Sequence, residues 1–152
     1  MIYNLGNTGV RPFSAYQWTG LDKVTVIEYV LDLSRRSGNN VPPGGYVTGD
    51  QLNLFDLPEG ILVQAASYEV ITAEGAAATF AYGDGAVSTY WGTGISLNTV
   101  VGPVLSAGAV KVYGGANSYM RVTLGGTLSA QGGAAKVAFH FLVANMTTGG
   151  AQ

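Results

Sequence analysis

The chain contains no cysteine. Disulfides and thiolate metal sites are thereby excluded, and folding does not depend on the redox poise of a compartment. Histidine occurs once, at His140. One histidine and no cysteine leave none of the usual zinc ligand sets. Charge is scarce: 11% of the residues are Asp, Glu, Lys or Arg, against about 25% in an ordinary soluble domain. Seven basic and nine acidic residues give a net charge of −2, so nucleic-acid binding has no electrostatic footprint. Long apolar runs are missing too. The longest, Ala134 to Ala144, is broken by Lys136 and His140 and falls short of the roughly 20 residues a membrane helix needs. Met1 to Val10 has neither the basic start nor the apolar core of a secretion signal. No membrane partner, no nucleic-acid partner and no cofactor are expected.

Glycine is abundant instead, at 23 of 152 residues, about twice its usual 7%. A surface built from Gly, Ala, Ser, Thr and Asn repels its neighbours weakly. Coverage in an oligomer or on a larger assembly would reconcile that surface with solubility; tolerance of low charge is the plainer alternative.

The glycines also punctuate. No window sustains a helical period, because glycine would break a helix repeatedly. Alternation is clear over Lys23 to Leu33, where Thr25, Ile27, Tyr29, Leu31 and Leu33 share one face. It is clearest over Ala134 to Val143, where Val137, Phe139, Phe141 and Val143 do. Period-2 patterns of this kind are half-buried strands. Further strands are expected at 51–57, 61–73, 76–82, 87–91, 95–97, 109–113 and 119–124. In the 61–73 segment the alternation changes phase near Ala66, which predicts a bulge. The pattern is all-β: a single-domain β-sandwich or jelly-roll-like barrel. Residues 1–22 read as a flexible N-terminal arm, 23–146 as the sandwich domain and 147–152 as a flexible C-terminal tail.

Two groups of residues are candidates for contacts. The arm carries Tyr3, Phe13, Tyr16 and Trp18, and aromatics on an irregular segment need something to pack against. That something is either the chain's own domain or a neighbour. The loop before Gln51 carries Pro42, Pro43 and Tyr46, and a loop of that length is functional or mobile. The second group is Tyr82, Tyr90 and Trp91. Exposed, they would form an aromatic platform for a sugar or a protein partner; buried, they would fill one end of the sandwich. The apolar faces of the 24–33 and 137–143 strands are candidates for an oligomer core.

Catalytic chemistry finds little support. His140 lies mid-strand with no nucleophile motif around it and reads as a structural histidine. Asp84, between two glycines, reads as a turn former. Glu28, Glu69 and Glu74 read as polar residues of strands and turns rather than as paired acids. No catalytic site, no metal site and no enzymatic activity are expected.

Several motifs recur in a familiar order. They are Val30-Leu31-Asp32-Leu33-Ser34-Arg35-Arg36, Phe55-Asp56-Leu57-Pro58-Glu59-Gly60, Val70-Ile71-Thr72-Ala73-Glu74-Gly75, Gly83-Asp84-Gly85 and Gly94-Ile95-Ser96-Leu97-Asn98, followed by a strand ending at Leu124. In this order the chain resembles the small capsid cement (decoration, head-stabilising) proteins of tailed bacteriophages, over roughly Lys23 to Val143. The resemblance implies a virion structural protein made in the host cytoplasm and seated on the outer capsid surface. It implies the major capsid protein as a partner and self-association as a homotrimer; a surface glycan is a further candidate partner. The alternative function is a carbohydrate- or receptor-binding β-sandwich module.

Overall fold

A computed structural model describes residues 1–4, 24–34, 44–57, 59–106, 108, 110–114, 118–129 and 133–146. Its ten strands are β1 (Ile2–Asn4), β2 (Thr25–Asp32), β3 (Gln51–Asp56), β4 (Ile61–Thr72), β5 (Ala78–Asp84), β6 (Gly92–Ser96), β7 (Val101–Leu105), β8 (Lys111–Tyr113), β9 (Tyr119–Gly126) and β10 (Lys136–Asn145). There is no helix among the described residues. The strands form two five-stranded sheets. The first runs β1-β3-β9-β5-β6 and the second runs β2-β10-β4-β7, with β8 pairing β4 beside β7. Every pairing is antiparallel except that of β1 with β3. The architecture is the expected β-sandwich.

The alternating faces explain how the sheets meet. Ile27, Tyr29 and Leu31 of β2 and Val137, Phe139, Phe141 and Val143 of β10 are buried. They face Leu52, Leu54 and Phe55 of β3, Phe80 and Tyr82 of β5, and Met120, Val122 and Leu124 of β9, which are buried as well. Rings carry the contact between layers. Phe141 meets Phe55 edge-on at 5.5 Å, Phe139 meets Phe80 edge-on at 5.7 Å, and Phe139 lies 5.1 Å from Tyr82. Offset and edge-on ring pairs add to the hydrophobic gain of burial. The apolar sides of β2 and β10 are thus the core of the chain itself, which corrects their reading as an oligomer core.

The phase change in β4 is a bulge. Its register with β10 slips between Leu142 and Val143, where Ala65 and Val63 are the successive partners. Gln64 is the extra residue, and the inward set passes from Ile61 and Val63 to Ala66 and Val70. Other expectations shift. Residues 87–91 are a loop between β5 and β6 rather than a strand, and β1 and β7 were not foreseen. Their reasons are local: β7 carries Gly102 and Pro103, both poor strand formers, and Ile2–Asn4 is too short to show a period. The start of the arm is therefore an edge strand, with Tyr3 opposite Leu52. Phe13, Tyr16, Trp18, Pro42, Pro43 and residues 147–152 lie outside the described residues.

Truncating a ring at the centre of the sandwich leaves a cavity that neither sheet can close. Phe139→Ala is expected to cost about 3–5 kcal/mol, and Val26→Ala, on the outer side of β2, under about 0.5 kcal/mol. Urea unfolding monitored by tryptophan fluorescence measures both.

Candidate interaction surface

Tyr82 and Trp91 are 1% and 2% exposed, and Tyr90 is half-buried. The structure does bring the three together, but as the packed end of the sandwich, which corrects the surface platform. Tyr82 points inward because β5 alternates Ala78, Phe80 and Tyr82 toward the core. Trp91 packs edge-on against Tyr90 at 4.8 Å and is covered by Gly108, where a Cβ would overlap the indole ring. Tyr46 is corrected in the same way. It is 2% exposed, and the turn that carries it is pinned. The Gly49 N–H donates to the Leu124 carbonyl at 2.8 Å, the Val47 N–H to Asp50 Oδ2 at 2.9 Å, and the Thr48 hydroxyl to the Gly126 carbonyl at 2.6 Å. The part of the 38–50 loop that is described is thus anchored on β9.

What remains exposed is unevenly distributed. On the outer side of the first sheet, Gln51, Asn53, Arg121, Thr123 and Thr79 alternate with the core residues. Arg121 donates to Asn53 Oδ1 at 2.9 Å and to the Tyr119 hydroxyl at 2.8 Å. The outer side of the second sheet mixes exposed apolar residues with charged ones. Val26, Val30, Leu105 and Val112 are 52%, 37%, 74% and 57% exposed. Leu142 lies between Val26 and Ala65 in one row, and Leu62 between Ala144 and Val112 in another. Two cross-strand polar pairs lie on this side, and Glu69, opposite Ala138, is a third acidic residue on it. His140 Nε2 sits 3.0 Å from Glu28 Oε2, and Lys136 Nζ 3.5 Å from Asp32 Oδ2. His140 is therefore a paired strand residue, as its position suggested.

The buried carboxylates are structural ties. Asp84 is fully buried. Its Oδ1 accepts the N–H groups of Ala86 and Val87 at 2.9 and 2.8 Å, which makes it the expected turn former. Its Oδ2 accepts Lys111 Nζ at 2.6 Å and the Tyr113 hydroxyl at 2.9 Å. The Lys111 ammonium also lies 4.6 Å from the centre of the Tyr90 ring, a cation–π contact. This cluster joins β5 of one sheet to β8 of the other. Gly83 makes it possible, since a Cβ there would overlap the Val87 carbonyl oxygen as the loop folds back. Glu74 does similar work at another corner. Its carboxylate accepts the N–H groups of Ser129, Ala134 and Ala135 at 3.0, 2.7 and 3.1 Å. Sequence reasoning reached Asp84 as a turn residue but missed Lys111 and Tyr113, because their partner lies 27 and 29 positions away.

Burial by itself would raise the Asp84 and Glu74 carboxyls. The Lys111, Val87 and Tyr113 donors outweigh it at Asp84, and the backbone N–H groups of Ala134, Ser129 and Ala135 outweigh it at Glu74. Both carboxyls are held below their ordinary values. Burial and the adjacent Asp84 charge push the Tyr113 hydroxyl far up.

An open cleft of about 450 Å³ lies where β6 and β7 leave the sandwich mouth uncovered, lined by Tyr68, Thr93, Ile95, Ser96, Thr99 and Val101. Among the described residues, no group of three or more His, Cys, Asp or Glu side chains is placed to hold a metal ion.

No protein-family model matches the chain, and no curated protein matches it significantly. Among solved structures it is similar to a chain of the capsid asymmetric unit of cyanophage Pam1. The TM-score is 0.57 at 15% identity, over 81% of this chain and 86% of that one. At that identity the likeness is one of fold.

The depressed carboxyls give stability a defined pH dependence. The unfolded chain takes up protons near the free values of about 3.9 for Asp and 4.3 for Glu, before the folded chain does. Their contribution is complete above that range and is lost as pH falls through the lower folded values. Thermal unfolding is expected to be level from neutral pH to about 5 and to weaken below about 4, with a shallower fall in Asp84→Asn. At neutral pH, Lys111→Met is expected to cost about 3–5 kcal/mol, because it leaves Asp84 charged and buried without its cation. Urea titrations of both variants and their double mutant give the coupling.

Proposed function

We propose that the protein is a structural component of a tailed-phage virion, a cement protein that binds the outside of the head and takes no part in catalysis. The observation that carries this reading is the fold it shares, over most of both chains, with a chain of a phage capsid asymmetric unit. The order of turn motifs from Val30 to Leu124 supports it independently. So does the surface. The second sheet exposes Val26, Val30, Leu105 and Val112 on its outer side, which suits a face that is covered in an assembly. A protein that binds only the intact shell stabilises that shell by mass action. Contacts across capsomer boundaries would act in this way against the pressure of packed DNA. In this reading the major capsid protein is the partner and the site is the outer capsid surface. Three copies per site would follow if the protein closes around a local three-fold axis.

A carbohydrate-binding role would have to move from the buried Tyr82 and Trp91 to the cleft at Tyr68, where a half-buried ring is surrounded by hydroxyls.

Purified protein mixed with expanded heads that lack it is expected to sediment with them at saturating stoichiometry and to raise their rupture temperature. Heads that bind none of it would overturn the reading. Tyr68→Ala separates the alternative: it should leave head binding unchanged and abolish any glycan binding.

A further inference from the structure

The two sheets expose four edges among the described residues, and three of them are defended. β1 is three residues long. β6 contains Gly92 and Gly94, the latter at φ +63°, and its register with β5 slips. On the far edge of the second sheet, β7 carries Pro103 and slips against β4, and β8 is three residues long. Short strands, prolines and bulges are the usual devices that stop a sheet edge from pairing with another chain.

β2 has none of them. It runs for eight residues without Gly, Pro, Lys or Arg, in unbroken register with β10 from Thr25 to Asp32. The direction of its backbone follows from one bond: the Leu33 N–H donates to the Ala135 carbonyl at 2.9 Å. In an antiparallel pair, alternate residues turn their N–H and C=O toward the same neighbour. Ile27, Tyr29 and Leu31 therefore bond to β10. Val26, Glu28, Val30 and Asp32 turn their backbone groups outward, where no described strand meets them.

We propose that β2 is a self-association edge. Two copies pair β2 to β2, antiparallel, about a two-fold axis at Tyr29, and so join their second sheets into one. The occupant is a second copy because no other edge described on the chain is long and regular enough to match β2. The register is also self-complementary. With Tyr29 at the axis, Val26 faces Asp32 and Glu28 faces Val30 of the second copy, and Ile27 faces Leu31. No like charges stand directly opposite, which is the arrangement antiparallel pairs require. The four outward residue pairs supply about eight backbone hydrogen bonds. The exposed Val26 and Val30 of both copies become one apolar strip continuous with the outer side of the sheet. The inference stands apart from the virion role.

Size exclusion with light scattering across a concentration series tests it. Wild type is expected at twice the 15.7 kDa chain mass. Val26→Lys and Val30→Lys place a gatekeeping lysine on the edge and should halve that mass with an unchanged far-UV circular dichroism spectrum. Val87→Lys, on the exposed loop after β5, should leave it doubled. Amide exchange on the wild type covers the case of a misfolded variant: Val26, Glu28 and Val30 amides should be slow when concentrated and fast on dilution. A wild-type mass of one or three chains, a doubled mass that persists in both folded edge variants, or outward amides that exchange fast at every concentration would each overturn the proposal.

Discussion

The contact between β10 and the opposite sheet holds this protein together. β10 is central in its sheet, with β2 on one side and β4 on the other. Val137, Phe139, Phe141 and Val143 are at most 1% exposed, and the two phenylalanines meet rings from β3 and β5 across the interface. Every other element is arranged around that layer. β4 bulges at Gln64 to keep its apolar side inward along its length, and the loops close the ends of the sandwich over Trp91 and Tyr46. With so few charged residues, the chain relies on this non-directional packing for its stability.

The charges it does keep are used as pins. Asp84 and Glu74 are buried, and each faces a set of donors that matches its acceptor capacity, which is the condition for tolerating a carboxylate away from water. Both act at corners. Asp84 ties the loop after β5 to β8, and Glu74 ties the end of β4 to the segment leading into β10. Directional bonds are thus found where the chain turns and where packing alone would leave several conformations open. The pairs of Glu28 with His140 and of Asp32 with Lys136 lie instead on the outer side of the second sheet, where they are solvated and contribute less.

Much of this was legible in the residues. β2 and β10 announce themselves because each has one buried and one exposed side, and strict alternation is the trace of that geometry. The bulge in β4 was readable as a phase change. Tyr82 and Trp91 were harder, since an aromatic beside a glycine-rich turn favours a core plug only slightly over a binding platform. The burial that decides between them comes from Phe139 and from Gly108, both distant in sequence. The Asp84–Lys111–Tyr113 cluster was invisible for the same reason. β7 was hidden by Gly102 and Pro103, which local propensity counts against a strand but an edge position tolerates.

The central place of β10 also sets the timing of folding. Its neighbours β2 and β4 do not pair with each other, so β2 is not joined to the rest of the second sheet until the strand between them has been made. About a hundred residues separate the end of β2 from the start of β10, which at ribosomal speed is roughly 5–20 s of synthesis. Through that interval Ile27 and Leu31 wait without their β10 partners, on an edge strand suited to foreign strands. A cell making many copies at once would need chaperones to shield that strand until β10 arrives.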